Sequence, residues 1–146
     1  LEVEKPFNFK YGNLDIDETV FIDNSVVIVG NNLVLTSEKD LVICNFETNV
    51  TKVLPMDYSV FGMVADKDCF YVISYSDLGE IVFEKFSPEG ESLGKNEIFL
   101  PSGFNYSPWI SRTDGTYYMY GSEIYMEFHT GGECYIFSYD VNNIWR

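Results

Sequence analysis

The residues able to carry chemistry are few and scattered. The sole histidine, His129, lies in Phe128-His129-Thr130-Gly131-Gly132-Glu133-Cys134, close in sequence to a carboxylate and a thiol. A nucleophilic site needs a base within hydrogen-bond reach of its thiol. A zinc site needs three protein ligands when catalytic and four when structural. One histidine and three separated cysteines, Cys44, Cys69 and Cys134, with no C-x-x-C spacing, supply neither. His129 therefore reads as a turn residue beside a Gly-Gly hairpin, and the cysteines as buried thiols in apolar, strand-like runs.

Carboxylates are plentiful but unfocused. Asp15-Ile16-Asp17-Glu18 and Asp66-Lys67-Asp68 lack the spacing and distal glutamate of a calcium loop and read as solvated turns. Glycoside hydrolysis takes two opposed acids, and no spacing here singles out a pair. The phosphate-cradling, nucleophile-elbow and zincin patterns do not occur, so the expectation is no cofactor, no metal and no catalytic residue. One aromatic segment stands out, Phe104-Asn105-Tyr106-Ser107-Pro108-Trp109, with Arg112 just beyond it. Tyr and Trp dominate binding hot spots, and their rings stack on sugars. Phe104, Tyr106, Trp109 and Arg112 are therefore the candidate binding residues. The competing reading packs Tyr106 and Trp109 between neighbouring repeat units.

Those residues need a scaffold, and composition says what kind. The chain is 146 residues long, 46% hydrophobic and 22% charged, which suits one folded domain or a piece of a larger one. Twelve Phe and eleven Tyr favour the half-buried surface of strands. With 23 acidic residues against 9 basic ones, the net charge is −14. Nucleic acids and anionic membrane surfaces are thereby poor partners, leaving a protein or a glycan. No apolar run reaches the roughly 20 residues that span a bilayer. The opening at Leu1 with no leader reads as a trimmed start. The compartment stays open, leaning towards a secreted or cell-envelope protein.

Apolar residues recur with period two or in short runs, broken every few positions by turn residues. The runs include Val26–Val29, Leu41–Phe46, Val60–Val64, Phe70–Ser74, Ile81–Phe86, Tyr117–Tyr120 and Tyr135–Tyr139. Gly30-Asn31-Asn32, Pro88-Glu89-Gly90 and Gly131-Gly132 stand between them. This spacing predicts an all-β chain. Aligned on Phe46, Phe86 and Tyr139, three similar strand-turn-strand segments recur after 40 and 53 residues; the first spacing fits the period of four-stranded propeller blades and the second needs a modest insertion. The expected units are 20–54, 57–100 and 106–146, each of four antiparallel strands. The third is expected to end in a hairpin running to Trp145.

Ser107-Pro108-Trp109-Ile110-Ser111-Arg112-Thr113-Asp114-Gly115-Thr116-Tyr117-Tyr118 resembles the start of a TolB-like propeller blade, and Tyr135-Ile136-Phe137-Ser138-Tyr139-Asp140 resembles its third strand. Phe86-Ser87-Pro88-Glu89-Gly90-Glu91-Ser92-Leu93 is similar to the Asp-x-x-Gly hairpin of WD- and related repeats, and Tyr139 to Trp145 has a kelch-like ending. The resemblance implies about three propeller-like blades. A closed propeller has about four to eight, so further blades or oligomerisation would complete the ring; a β-sandwich or β-barrel is the alternative. The functional expectation is a non-catalytic binding or scaffolding module that presents loops to a protein or glycan. The Asp114-Gly115-Thr116-Tyr117-Tyr118 run also resembles strands of arabinanase-type glycosidases, and a fragment of such an enzyme is the alternative.

Overall fold

The computed structural model describes residues 10–11, 14–15, 26–37, 40–76, 80–99, 115–130 and 133–144. A two-residue pairing of β1 (Lys10–Tyr11) with β2 (Leu14–Asp15) precedes three antiparallel sheets. The first holds β3 (Val26–Val29), β4 (Asn32–Ser37), β5 (Asp40–Asn45) and β6 (Thr51–Pro55) in that spatial order. The middle sheet holds β7 (Val60–Ala65), β8 (Phe70–Tyr75), β9 (Glu80–Phe86) and β10 (Ser92–Phe99). The last holds β11 (Gly115–Tyr120), β12 (Glu123–Thr130) and β13 (Glu133–Asp140). The chain is all-β, and each described sheet is an open meander rather than a closed barrel.

Turn chemistry sets the registers. Gly30 and Gly121 take φ of 57° and 61° at the β3–β4 and β11–β12 turns, where a two-residue hairpin loop requires the left-handed region. The second turn fixes Tyr118 opposite Tyr125 and Tyr120 opposite Glu123. Between β9 and β10, the Gly90 N–H donates to the Ser87 carbonyl and the Ser87 N–H to the Glu91 carbonyl. The Pro88-Glu89-Gly90 turn closes the hairpin its sequence predicts.

The sheets stack in series through alternate faces. On β8, Phe70 and Val72 point to the first sheet, joining Val29, Val34, Leu41 and Ile43 in one core. Tyr71 and Ile73 point the other way, joining Tyr117, Ile124 and Met126 of the last sheet. The first strands of successive sheets lie beside one another, β3 by β7 and β7 by β11. Gly62 makes the second approach possible, because a Cβ there would lie 2.4 Å from Cδ2 of Tyr117. Asn32, buried at the start of β4, ties the first sheet to the middle one. Its Nδ2 donates to the Pro88 carbonyl at 2.7 Å, and its Oδ1 accepts from Asn45 Nδ2 at 3.0 Å.

The third unit departs from expectation. Among the described residues it has three strands, and the segment expected to run as a fourth strand to Trp145 instead turns helical over Val141–Ile144. The Asp140 carboxylate accepts the Asn142 N–H at 2.9 Å, an N-terminal capping bond that favours a helical turn over an extended chain. Trp109–Ile110, expected as the first strand of this unit, lies outside the described residues, and β11 is the strand placed beside β7.

The three aligned rings share the end of the third strand in each sheet, but their surroundings differ. Phe86 stacks on Phe70 at 5.2 Å in the core against the first sheet. Tyr139 packs on Phe83 at 4.9 Å in the core against the middle sheet. Each faces the preceding sheet. Phe46 follows β5 with the parity of Val42 and Cys44, on the side where no described sheet precedes, and is 52% exposed.

Candidate functional site

The binding residues expected from sequence, Phe104, Tyr106, Trp109 and Arg112, lie outside the described residues, as does Asp114. His129 and Cys134 are register partners across the β12–β13 hairpin. Cys44 and Cys69 are buried free thiols. Among the described residues, no group of three or more His, Cys, Asp or Glu side chains is placed to hold a metal ion. No helix among them is long and apolar enough to cross a membrane.

Three arrangements remain that could bind or react. The first is a cleft of about 520 Å³ between the β7–β8 turn and the β11–β12 turn, lined by Asp66, Lys67, Asp68, Tyr71, Lys85 and Asn142 among others. Its floor is held by the Val141 N–H donating to the Ser122 carbonyl at 2.8 Å. The Asp66-Lys67-Asp68 run forms the turn itself. Its first carboxylate accepts the Lys67 N–H at 2.7 Å, a local use of aspartate that stabilises the turn. Lys85 Nζ lies 6.0 Å from the centre of the Tyr71 ring. Carboxylates and ammonium groups alternate around this cleft, so it offers no single sign of charge to a ligand.

The second is a pair of acids. Glu80 is buried at the start of β9, and Glu97 of β10 sits opposite Val82, two residues along the same face. Burial, then a hydrogen bond with Glu97, then the charge of Glu97 raise the Glu80 carboxyl above its ordinary value of 4.5. A carboxyl held in this way keeps its proton to a higher pH than a free one.

The third is the outward face of the last sheet. Alternation puts Tyr117 and Met119 against the core and leaves Tyr118 42% exposed and Tyr120 78% exposed. Tyr118 stacks on Tyr125 with ring centres 5.3 Å apart and planes 12° from parallel. The Tyr125 hydroxyl donates to Glu123 at 2.7 Å. That bond, and then partial burial, raise the Tyr125 phenol above its usual value of 10.0. Cross-strand register sets Ser138 beside Tyr125, Asp140 beside Glu123, and the 60%-exposed Ile136 beside Glu127.

Neither the acid pair nor the tyrosine face was found from sequence spacing. The acids are 17 residues apart and meet only through the β9–β10 register. The tyrosine stack had a legible signal, since Gly121-Ser122 between two alternating runs is a hairpin turn that pairs Tyr118 with Tyr125. Comparison with protein-family models, with curated proteins and with solved structures returned no match.

Proposed function

We propose that this chain is a run of about three propeller-like blades that acts as a non-catalytic binding or scaffolding module for a protein or glycan. The observation that carries the reading is the placement of first strands. β3, β7 and β11 lie side by side while the later strands of each sheet step away from them in order. Radial meanders arranged around an axis have this layout, and a stacked sandwich has no need of it. The shared orientation of Phe86 and Tyr139 towards the preceding sheet supports a repeat as well.

Among the described residues, Glu80 is hydrogen-bonded to Glu97 and the cleft brings carboxylates and ammonium groups together, and neither arrangement singles out a catalytic residue. The glycosidase alternative drew on Asp114-Gly115-Thr116-Tyr117-Tyr118. Of these, Tyr117 is buried against Gly62 and fills the join between sheets, a packing role.

Glycan and peptide arrays probed with the intact chain and with Trp109→Ala test the proposal. Retention on defined array features, weakened by Trp109→Ala, is the expected result. Release of reducing sugar from an arabinan or other polysaccharide substrate, lost on replacing a carboxylate, would overturn it in favour of an enzyme.

A further inference from the structure

The three sheets differ at their last strand. β6 and β10 close the first two as fourth strands, whereas the last sheet ends on its third, β13. The chain then leaves in the helical turn over Val141–Ile144. Among the described residues, β13 has a strand on one side only. The Val141 N–H donates to the Ser122 carbonyl in continuation of the β12–β13 register, and hydrogen-bonded pairs alternate along an antiparallel ladder. Tyr135, Phe137 and Tyr139 therefore turn their backbone N–H and C=O groups to β12. Ile136 and Ser138 turn theirs to the open edge.

An open edge is a template for another chain, and folded proteins blunt it with lysine, proline or a bulge. β6 carries Lys52 and Pro55. β10 carries Lys95 and a register shift between Ser92 and Gly94. β13 has none of these devices. Its eight residues pair one for one with β12, and acids stand only at its two ends, Glu133 and Asp140. Its core-side rings are also less covered than their counterpart in the middle sheet. Phe86, with Ser92 of β10 beside it, is 4% exposed, while Phe137 and Tyr139 are half-buried against the core.

From these observations we infer that β13 takes up an extended segment of a partner protein as an antiparallel fourth strand, bonded through the backbone of Ile136 and Ser138. This rests on the binding-module reading and names its contact edge. Main-chain bonds supply the affinity in strand addition, and alternate side chains supply the selectivity. One set of alternate residues in the added strand lies beside Phe137 and Tyr139 on the core side and is apolar. The other set faces water in the field of a chain with net charge −14, which favours Lys and Arg there. The same charge sets a second copy of the chain against the first.

The test titrates the intact chain into a fluorescent octapeptide of alternating Lys and Val, read by anisotropy at moderate salt, where loose charge attraction is screened. Binding is expected, with slowed hydrogen exchange at the Ile136 and Ser138 amides and no change at Phe137. When the valines lie beside Phe137 and Tyr139, the lysine N–H groups face β13. Backbone N-methylation of the lysines therefore weakens binding by about tenfold or more. N-methylation of the valines, at the same peptide charge, changes it by less than about threefold. Ile136→Pro removes one edge donor without touching the β12 ladder and weakens binding by about tenfold. The two methylated peptides carry the test on the unaltered chain. Failure of the octapeptide to bind, or equal weakening by the two methylations, would overturn the inference. So would a doubled solution mass of the chain alone that Ile136→Pro abolishes, which assigns the edge to a second copy. A negative peptide result beside Trp109-dependent array retention removes this edge and leaves the module. Sugar release removes the module whatever the peptide does.

Discussion

The middle and last sheets have the same meander but opposite obligations. Both faces of the middle sheet are packed, with Phe70, Val72 and Phe86 on one side and Tyr71, Ile73 and Phe83 on the other. The last sheet packs one face, through Ile124, Met126 and Tyr139, and turns Tyr118, Tyr120 and Ile136 to water. What sits on a strand therefore reports how many neighbours its sheet has. A continuous apolar strand such as Phe70-Tyr71-Val72-Ile73 belongs to a sheet covered twice, and an alternating one belongs to a sheet covered once. The middle sheet buries side chains on both faces, and the last sheet leaves Tyr118, Tyr120 and Ile136 exposed on one.

The sharpest way to break this contrast is to remove one ring from each sheet. Phe83 is fully buried and packed on Tyr139. Phe83→Ala should destabilise the chain by about 3–5 kcal/mol, the usual cost of deleting a buried aromatic and leaving a cavity. Tyr118→Ala, on the open face, should stay within about 0.5 kcal/mol. Urea unfolding followed by tryptophan fluorescence and circular dichroism reads both. Comparable losses in the two variants would mean the last sheet's outer face is as buried in solution as the middle sheet's.

How much of this was legible beforehand follows the same division. The strands of the middle sheet announce themselves in Val60–Val64, Phe70–Ser74 and Ile81–Phe86, because burial on both faces enforces uninterrupted apolar runs. The last sheet is less legible. Asn142-Asn143-Ile144-Trp145 looked like a continuing hairpin, but a single side-chain bond from the Asn142 N–H to Asp140 tips four residues into a helical turn. Such local competition has no periodic signature. The β-rich composition and the Pro88-Glu89-Gly90 turn predicted the elements well. Of the contacts that depend on cross-strand register, Tyr118 with Tyr125 follows from the Gly121-Ser122 turn, while Glu80 with Glu97 lies beyond spacing alone.

A second, smaller perturbation tests the join between the two sheets. Gly62 lies at a bulge in the β7–β8 pairing, and an added Cβ would meet Cδ2, Cγ and Cε2 of Tyr117 within 3 Å. Since Tyr117 is buried, its ring has little room to yield. Gly62→Ala should cost about 1–3 kcal/mol through overpacking. The loss should shrink when Tyr117→Leu is added, because the smaller side chain frees the space. Strictly additive losses in this double-mutant cycle would show that Gly62 and Tyr117 do not meet.

The gentlest test compares two hydrogen-bonded acids, one in each sheet. Glu80 is raised by burial and by Glu97, so the folded chain keeps a proton that the unfolded chain has already lost. Proton binding is then greater in the folded state between the ordinary value of 4.5 and the raised one. Stability from this pair is complete below the ordinary value and declines as pH rises through the raised one. Glu80→Gln keeps a donor for Glu97 and removes the titration. Its urea midpoint should exceed that of the parent at neutral pH, and the fall in midpoint from acid to neutral should flatten. An unchanged slope would mean that Glu80 is ionised throughout and stands apart from Glu97. On the last sheet, the Tyr125–Glu123 pair raises a phenol that ordinarily titrates at 10.0, so its contribution is lost only as pH rises above that value. Tyr125→Phe should therefore leave the midpoint's pH dependence between about 5 and 8 untouched. The same bonding pattern acts on folding above 4.5 in the sheet covered on both faces and only above 10.0 in the sheet with a face open to water.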